Sequence, residues 1–269
     1  MYVGSTPVPA SRRFRILNFI EVPFTMKRIL CLFLCGFLLT ACGEEKPASQ
    51  LVVGTSADYP PFEFYQDGQI VGLEVDLIRE IAKELDKECV FKDLPFESLI
   101  GALQTKNIDL AISNITATPE RLEKSDFSIP YYRSYAVMIA AKDSAINSVA
   151  DLTGKTIGVQ SGTIYEATVK KDWALKTKDL KVMSLAKVPD LLQAFKAGRI
   201  DVLVMGISEA DRIVKTVLDL KIIPLKETEV VFVIAFPKGS PLVEPVNKIL
   251  KKWTDNGILK KWQDKSLSE

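Results

Sequence analysis

The sequence predicts an α/β protein in two lobes, each built on a doubly wound, mostly parallel sheet. Three observations predict it. First, a helix–turn–strand unit occurs twice: Leu99–Ile112 matches Leu191–Val204, displaced by 92 residues throughout and without a gap. In each copy an apolar-faced helix ends at a polar turn, and an Ile-Asp step leads into a buried strand. Second, strand and helix patterns alternate in the same order around both copies, as they do in parallel sheets crossed by helices. Third, the 269 residues are 47% hydrophobic and 26% charged, a globular composition with enough chain for two lobes of roughly 100 residues each.

Taken in order, the chain begins with an export signal. Met26-Lys27-Arg28 precedes the apolar run Ile29–Ala41 and then Cys42. A short basic region, about a dozen apolar residues and a small-residue end describe a secretory signal, and the run is shorter than the roughly 20 residues that span a bilayer. Leu39-Thr40-Ala41-Cys42 resembles the bacterial lipobox, which implies lipidation of Cys42; an ordinary cleaved signal beside an incidental cysteine is the alternative. Because Met26 opens a complete signal, the start lies at Met26 or at Met1. Residues 1–41 are therefore read as N-terminal extension and signal peptide, and 42–50 as a polar, lipidated tether.

Next come the strands and helices of the two copies. Leu51–Gly54 and Thr156–Val159 read as opening strands, each followed by a turn-rich loop. An amphipathic helix with Leu73, Leu77, Ile78, Ile81, Ala82 and Leu85 on one face follows the first. Val90-Phe91 and Val182-Met183 are the middle strands. Near the end, Val243, Val246, Ile249, Leu250 and Trp253 mark an amphipathic helix that packs on the first lobe. In such sheets ligands bind beyond the carboxyl ends of the strands. That picks out Ser56–Tyr59 and Ser113–Thr116 in one lobe, with Gln160–Ile164 and Met205–Glu209 in the other, facing across a cleft.

Composition narrows the chemistry. The chain has no histidine, which removes serine–histidine and cysteine–histidine nucleophile pairs and nearly all zinc sites. Lysine plus arginine (35) balance aspartate plus glutamate (34), so no basic field suggests nucleic acid. With residues 1–41 removed, 30 positive charges face 33 negative ones. Cys31 and Cys35 leave with the signal and Cys42 carries lipid, so Cys89 stands alone and no internal disulfide is expected. The glycine-rich Gly154–Gly162 lacks the spacing of a phosphate loop. No metal, cofactor or catalytic residue is expected.

Thr55-Ser56-Ala57-Asp58-Tyr59-Pro60-Pro61-Phe62-Glu63-Phe64, followed by Val71-Gly72-Leu73-Glu74-Val75-Asp76-Leu77, resembles the opening of the periplasmic amino-acid-binding proteins of ABC uptake systems, solute-binding protein family 3. The resemblance runs on through Thr116–Arg121, Phe127–Tyr132, Leu152–Val159 and Gly198–Asp201, and is strongest to arginine-binding members. It implies the two-lobed periplasmic-binding-protein fold joined by two hinge strands, with lobe 1 as 51–134 plus 232–269 and lobe 2 as 135–231.

It also implies a site for a free amino acid. Arg121 matches the family's carboxylate-gripping arginine, and a guanidinium suits that task because it donates two parallel bonds. Amides near Thr116, Thr163 and Ile164 would complete the anion cradle. Tyr59 and Phe96 match the two positions that stack on the ligand side chain, core packing being the alternative for both. Phe62 and Phe64 read as core. Two positions depart from the family pattern. The usual acid for the ligand ammonium is Gly206 here, leaving Glu209 either to replace it or only to complement a helix N-terminus. The acid often found at 56 is Ser56, so Asp58 or Glu63 would face a cationic side chain. The site expected is thus Ser56, Asp58, Tyr59, Phe96, Ser113, Asn114, Thr116, Arg121, Gln160, Thr163, Ile164, Gly206 and Glu209. Cys89 matches half of a disulfide seen in some relatives, whose partner position is Ala82.

Three functions fit. The first is a monomeric lipid-anchored receptor that hands an amino acid, arginine foremost, to an inner-membrane ABC permease. The second is a periplasmic dehydratase of the cyclohexadienyl or arogenate type, with Glu209 or Asp58 as acid. The third is a signalling or adhesion module; sensor relatives continue into a transmembrane helix and kinase, whereas this chain stops at Glu269.

Overall fold

The computed structural model describes residues 49–268; the signal, Cys42 and most of the tether lie outside the described residues. In chain order the elements are β1 (Gln50–Thr55), β2 (Asp58–Tyr59), β3 (Glu63–Gln66), β4 (Gln69–Val71), α1 (Leu73–Glu84), β5 (Glu88–Asp93), α2 (Leu99–Gln104), β6 (Leu110–Ala111), α3 (Pro119–Leu122) and β7 (Ser125–Phe127). There follow β8 (Tyr132–Ala141), β9 (Thr156–Gln160), α4 (Ile164–Thr168), β10 (Lys181–Leu185), α5 (Val188–Lys196), β11 (Val202–Gly206), α6 (Ile207–Thr216) and β12 (Leu220–Phe232). The chain ends with β13 (Ala235–Pro237), α7 (Val243–Asp255) and α8 (Ile258–Ser268).

Two five-stranded sheets carry the same topology, β5-β1-β6-β13-β7 and β10-β9-β11-β8-β12. In each, the first three strands are parallel and the fourth is antiparallel to both neighbours. A mostly parallel α/β sheet in each of two lobes is thus what the alternating pattern produced. The repeat has a packing cause. Ile108 and Ile200 press on the opening strands at Gly54 and Gly158, where an added Cβ would lie 2.4 Å and 2.6 Å from the respective isoleucine Cδ1. The next residue ties the same strands: Asp109 Oδ2 accepts from the Val52 amide at 2.7 Å, and Asp201 Oδ2 from Thr156 at 2.8 Å. The turns before them match too, with Lys106 at φ 57° and Gly198 at φ 69°.

The lobes are joined by a two-stranded ribbon. β8 and β12 pair from Tyr132↔Phe232 to Ala141↔Leu220, with a register shift between Pro224 and Glu229. Pairing continues toward the first sheet through Tyr131 N–H to Phe232 O (3.0 Å) and Ser128 N–H to Ile234 O (2.9 Å). Phe62, Tyr132 and Phe232 pack ring against ring at this crossing, with centroids 5.3 to 6.0 Å apart. Phe62 is core as expected, whereas Phe64 is half-buried beneath Arg212.

α1 buries Leu73, Leu77, Ile78, Ile81 and Ala82, and α7 adds Val246, Ile249, Leu250 and Trp253 to the same apolar cluster as Leu51. Each such side chain contributes about 1.5–3 kcal/mol on burial, which holds the C-terminal helix on the first lobe. Cys89 is a free thiol whose Sγ reaches Ile78 O at 3.6 Å, and burial pushes its pKa up to about 11.

Candidate functional site

Loops at the carboxyl ends of β1, β6 and β9 converge on a cavity between the two sheets. It is lined by Asp58, Tyr59, Glu63, Phe96, Ser113, Asn114, Thr116, Arg121, Gln160, Thr163, Ile164 and Tyr165. Ten of the expected residues therefore meet there. Ser56, Gly206 and Glu209 stand behind the lining, and Glu63 and Tyr165 join it.

Arg121 follows from local chemistry. Thr118 caps α3 by accepting from the Arg121 amide at 3.3 Å, and Pro119 sets the first helical φ. The guanidinium then turns into the cleft over the Phe96 ring, 5.2 Å from its centroid. Its Nη1 donates to Thr116 O at 2.7 Å and its Nη2 crosses to Gly162 O of the other lobe at 2.8 Å. Burial lowers its pKa, yet a guanidinium stays charged.

The opposing loop is built to come close. Thr163 caps α4 by accepting from the Glu166 amide at 3.2 Å, and Glu166 accepts in return from the Gly162 amide at 2.7 Å. Gly162 has φ +76°, and a Cβ there would sit 2.7 Å from Glu97 Cβ across the cleft. Gly162→Ala is therefore expected to add about 1–2 kcal/mol of backbone strain and to push the two loops apart. Hydrogen exchange should quicken at residues 96–98 and 160–163; an unchanged exchange map would contradict the contact.

The acidic side of the cavity is deeper. Glu63 and Glu74 are both fully buried. Ser113 Oγ donates to Glu63 Oε1 at 2.7 Å, while Glu74 accepts from the Tyr131 hydroxyl and, at 2.9 Å, from the Asn114 amide. Burial and the neighbouring Glu74 raise the Glu63 pKa far above the carboxylate range; Glu74 is also raised by burial, but its donors oppose the shift. Glu63 is thus the member that keeps a proton. Its proton bonds to Glu74, so the pair satisfies itself. Among the described residues, the Asn114 side-chain amide and Thr116 Oγ1 are buried groups of the lining with no protein hydrogen-bond partner. Buried polar groups are normally satisfied, so these two point to a polar guest.

Asp58 lines the same end, but its carboxylate accepts from Ser56 Oγ at 2.8 Å, Gln160 Nε2 at 3.2 Å and the Val188 amide at 2.8 Å. Its pKa is raised, chiefly by burial. Ser56 also donates its amide to Ser113 Oγ at 3.2 Å, so it braces the lining rather than facing the cavity. The Gly206 amide donates to Tyr59 Oη at 3.0 Å. A Cβ at 206 would lie 3.2 Å from Tyr59 Oη and 3.3 Å from Tyr165 Oη, so the two phenols hold the space an acid at 206 would enter. Burial raises both phenol pKa values. Glu209, in the first turn of α6, is 2% exposed, its Oε2 has no partner, and burial pushes its pKa up to about 8. Tyr165 was missed because it lies one residue beyond the loop window taken from the strand end.

A family model for the bacterial extracellular solute-binding proteins, family 3, matches residues 51–269. The chain is 39% identical over 246 residues to the arginine-binding extracellular protein ArtP of Bacillus subtilis (strain 168), covering 86% of this chain and 94% of that protein. Among solved structures it is similar to an ancestral arginine-binding protein bound to arginine, with TM-score 0.76 and 35% identity over 81% of this chain and 97% of the other. An ancestral arginine-binding protein bound to glutamine gives TM-score 0.77 and 35% identity over 83% of this chain and 100% of the other.

Proposed function

This chain belongs to the bacterial extracellular solute-binding proteins of family 3, and we propose that it captures a polar amino acid, arginine foremost, between its lobes and presents it to an ABC permease. One observation carries this reading. The cavity is lined by a single guanidinium, Arg121, and by a buried acid, Glu63, together with the unpartnered polar groups of Asn114 and Thr116. Such a lining suits a carboxylate at one end of the guest and a cation at the other.

In this reading Arg121 takes the carboxylate, helped by Thr116 and the loop amides at Thr163 and Ile164. Tyr59 and Phe96, with Tyr165, form the walls for a flat side chain. Ser113, Asn114 and Gln160 supply polar contacts, and Glu63 exchanges its proton for a guanidinium. Glu209 serves the ammonium, reached past Gly206. The protein acts as a binder rather than an enzyme: Asp58 is engaged by three donors and Glu209 stands behind the lining, so neither is placed as a free general acid.

We propose lobe boundaries of 51–134 plus 232–269 and 135–231, which cut the β8–β12 ribbon near its first-lobe end. We further propose a monomer, anchored in the cell envelope through lipid on Cys42, which mass spectrometry of the mature N-terminus would test. The deciding experiment for the ligand is a thermal-shift screen with the twenty amino acids, ornithine, citrulline and prephenate. Arginine is expected to stabilise most. Turnover of prephenate would replace this reading with the dehydratase, and no shift by any of them would leave a partner-binding module.

A further inference from the structure

α5 starts without a cap of its own. Its N-cap residue is Lys187, which provides no side-chain acceptor, and Pro189 follows within the first turn. An α-helix leaves its first amides unpartnered and carries partial positive charge there. The Val188 amide is nevertheless satisfied, by Asp58 Oδ2 at 2.8 Å, and Asp58 belongs to the opposite lobe. The same oxygen accepts from Gln160 Nε2 at 3.2 Å, a second bond from that lobe. Ser56 Oγ holds the other oxygen at 2.8 Å, so the carboxylate is fixed in position and 8% exposed.

The contact extends outward. Lys187 Nζ lies 2.9 Å from Asp93 Oδ1 and 3.4 Å from Ser56 Oγ, while Asp93 Oδ1 also accepts from the Ala57 amide at 3.0 Å. Val188, 2% exposed, sits in the apolar cluster that contains Tyr59 of the first lobe. The bonds of Asp58 to Val188 and Gln160 and of Lys187 to Asp93 and Ser56 run between the lobes, and none needs a guest in the cavity.

We propose that Asp58 is the N-terminal cap of α5 delivered from the opposite lobe, and that with the Lys187–Asp93 pair it forms a clasp setting the closure equilibrium, so that Asp58 governs ligand affinity through closure rather than by touching the ligand. The affinity part rests on the proposed function; the closure part does not. Opening the lobes strips α5 of its cap and Asp58 of two charge-assisted bonds. Affinity for any ligand scales with the fraction of molecules in the closed form, so weakening the clasp lowers every affinity by one common factor.

The test uses Asp58→Ala, Asp58→Asn and Lys187→Gln in the full chain. Without ligand, small-angle scattering should show Asp58→Ala and Lys187→Gln more expanded than the wild type. By calorimetry, Asp58→Ala should weaken arginine and its neutral analogue citrulline by the same factor, roughly tenfold, and Lys187→Gln by a smaller common factor. Asparagine caps helices as well as aspartate, so Asp58→Asn should recover most of the loss for both ligands. Selective loss of arginine in Asp58→Asn would overturn the proposal, since it would put Asp58 against the ligand cation. Identical ligand-free scattering in all four proteins would overturn it as well. Should the wild type bind neither ligand, the uptake reading fails while the scattering comparison still decides the clasp.

Discussion

Replacing Arg121 with alanine is expected to weaken binding of arginine and of neutral amino acids such as glutamine alike, by about 2–5 kcal/mol. The guanidinium faces the cavity from above the Phe96 ring and uses two donors on Thr116 O and Gly162 O. In the proposed reading its remaining N–H groups take the feature all amino acids share, the α-carboxylate. Truncation would leave that carboxylate buried without a counter-charge, which costs far more than the bond itself. Arg121→Lys should restore part of the loss, because an ammonium returns the charge without the planar two-pronged geometry. Isothermal titration with both ligands checks this. A loss confined to arginine would move residue 121 to the side-chain end of the guest, and unchanged affinities would remove it from the site.

The repeat made the sheets readable, because Gly54 with Ile108 and Asp109 forms a packing unit that Gly158, Ile200 and Asp201 rebuild. The unit is local in space but lies in two pieces of sequence, so its recurrence fixes strand order as well as strand existence. The switch-point rule then located most of the cavity lining from loop positions alone. It failed where side chains reach between layers. Lys187 belongs to no motif of the sequence, and only the folded chain brings Asp93 of the other lobe to 2.9 Å. Nothing local to Asp58 reveals that its carboxylate meets the uncapped start of α5. Gly206 looked like a lost acid, whereas the structure shows the hydroxyls of Tyr59 and Tyr165 beside it. In each case the deciding partner is distant in sequence, and hydrophobic periodicity carries no record of it.

Glu209→Gln is expected to flatten the dependence of stability on pH and to change how pH acts on binding. Its pKa is pushed from 4.5 up to about 8, first by burial and then by the charge of Asp58, with Arg212 opposing. A carboxyl whose folded pKa is raised binds its proton more tightly when folded. Its contribution to stability is therefore complete below about pH 4.5 and is lost as pH rises through about 8, on the order of 5 kcal/mol across that window. Glu63 and Glu74 are raised in the same direction, so the glutamine variant should keep a slope in its melting temperature, shallower than that of the wild type. Binding supplies the second readout. If Glu209 meets the ligand ammonium, a ligand arriving near pH 7 must expel the proton, so affinity should climb toward pH 8.5. Calorimetry in buffers of different ionisation heat should then record proton release, and Glu209→Gln should reduce that release and the climb while weakening binding near pH 8. A variant that flattens the stability curve but binds with wild-type strength and pH profile would make Glu209 a buried acid at the start of α6 and nothing more.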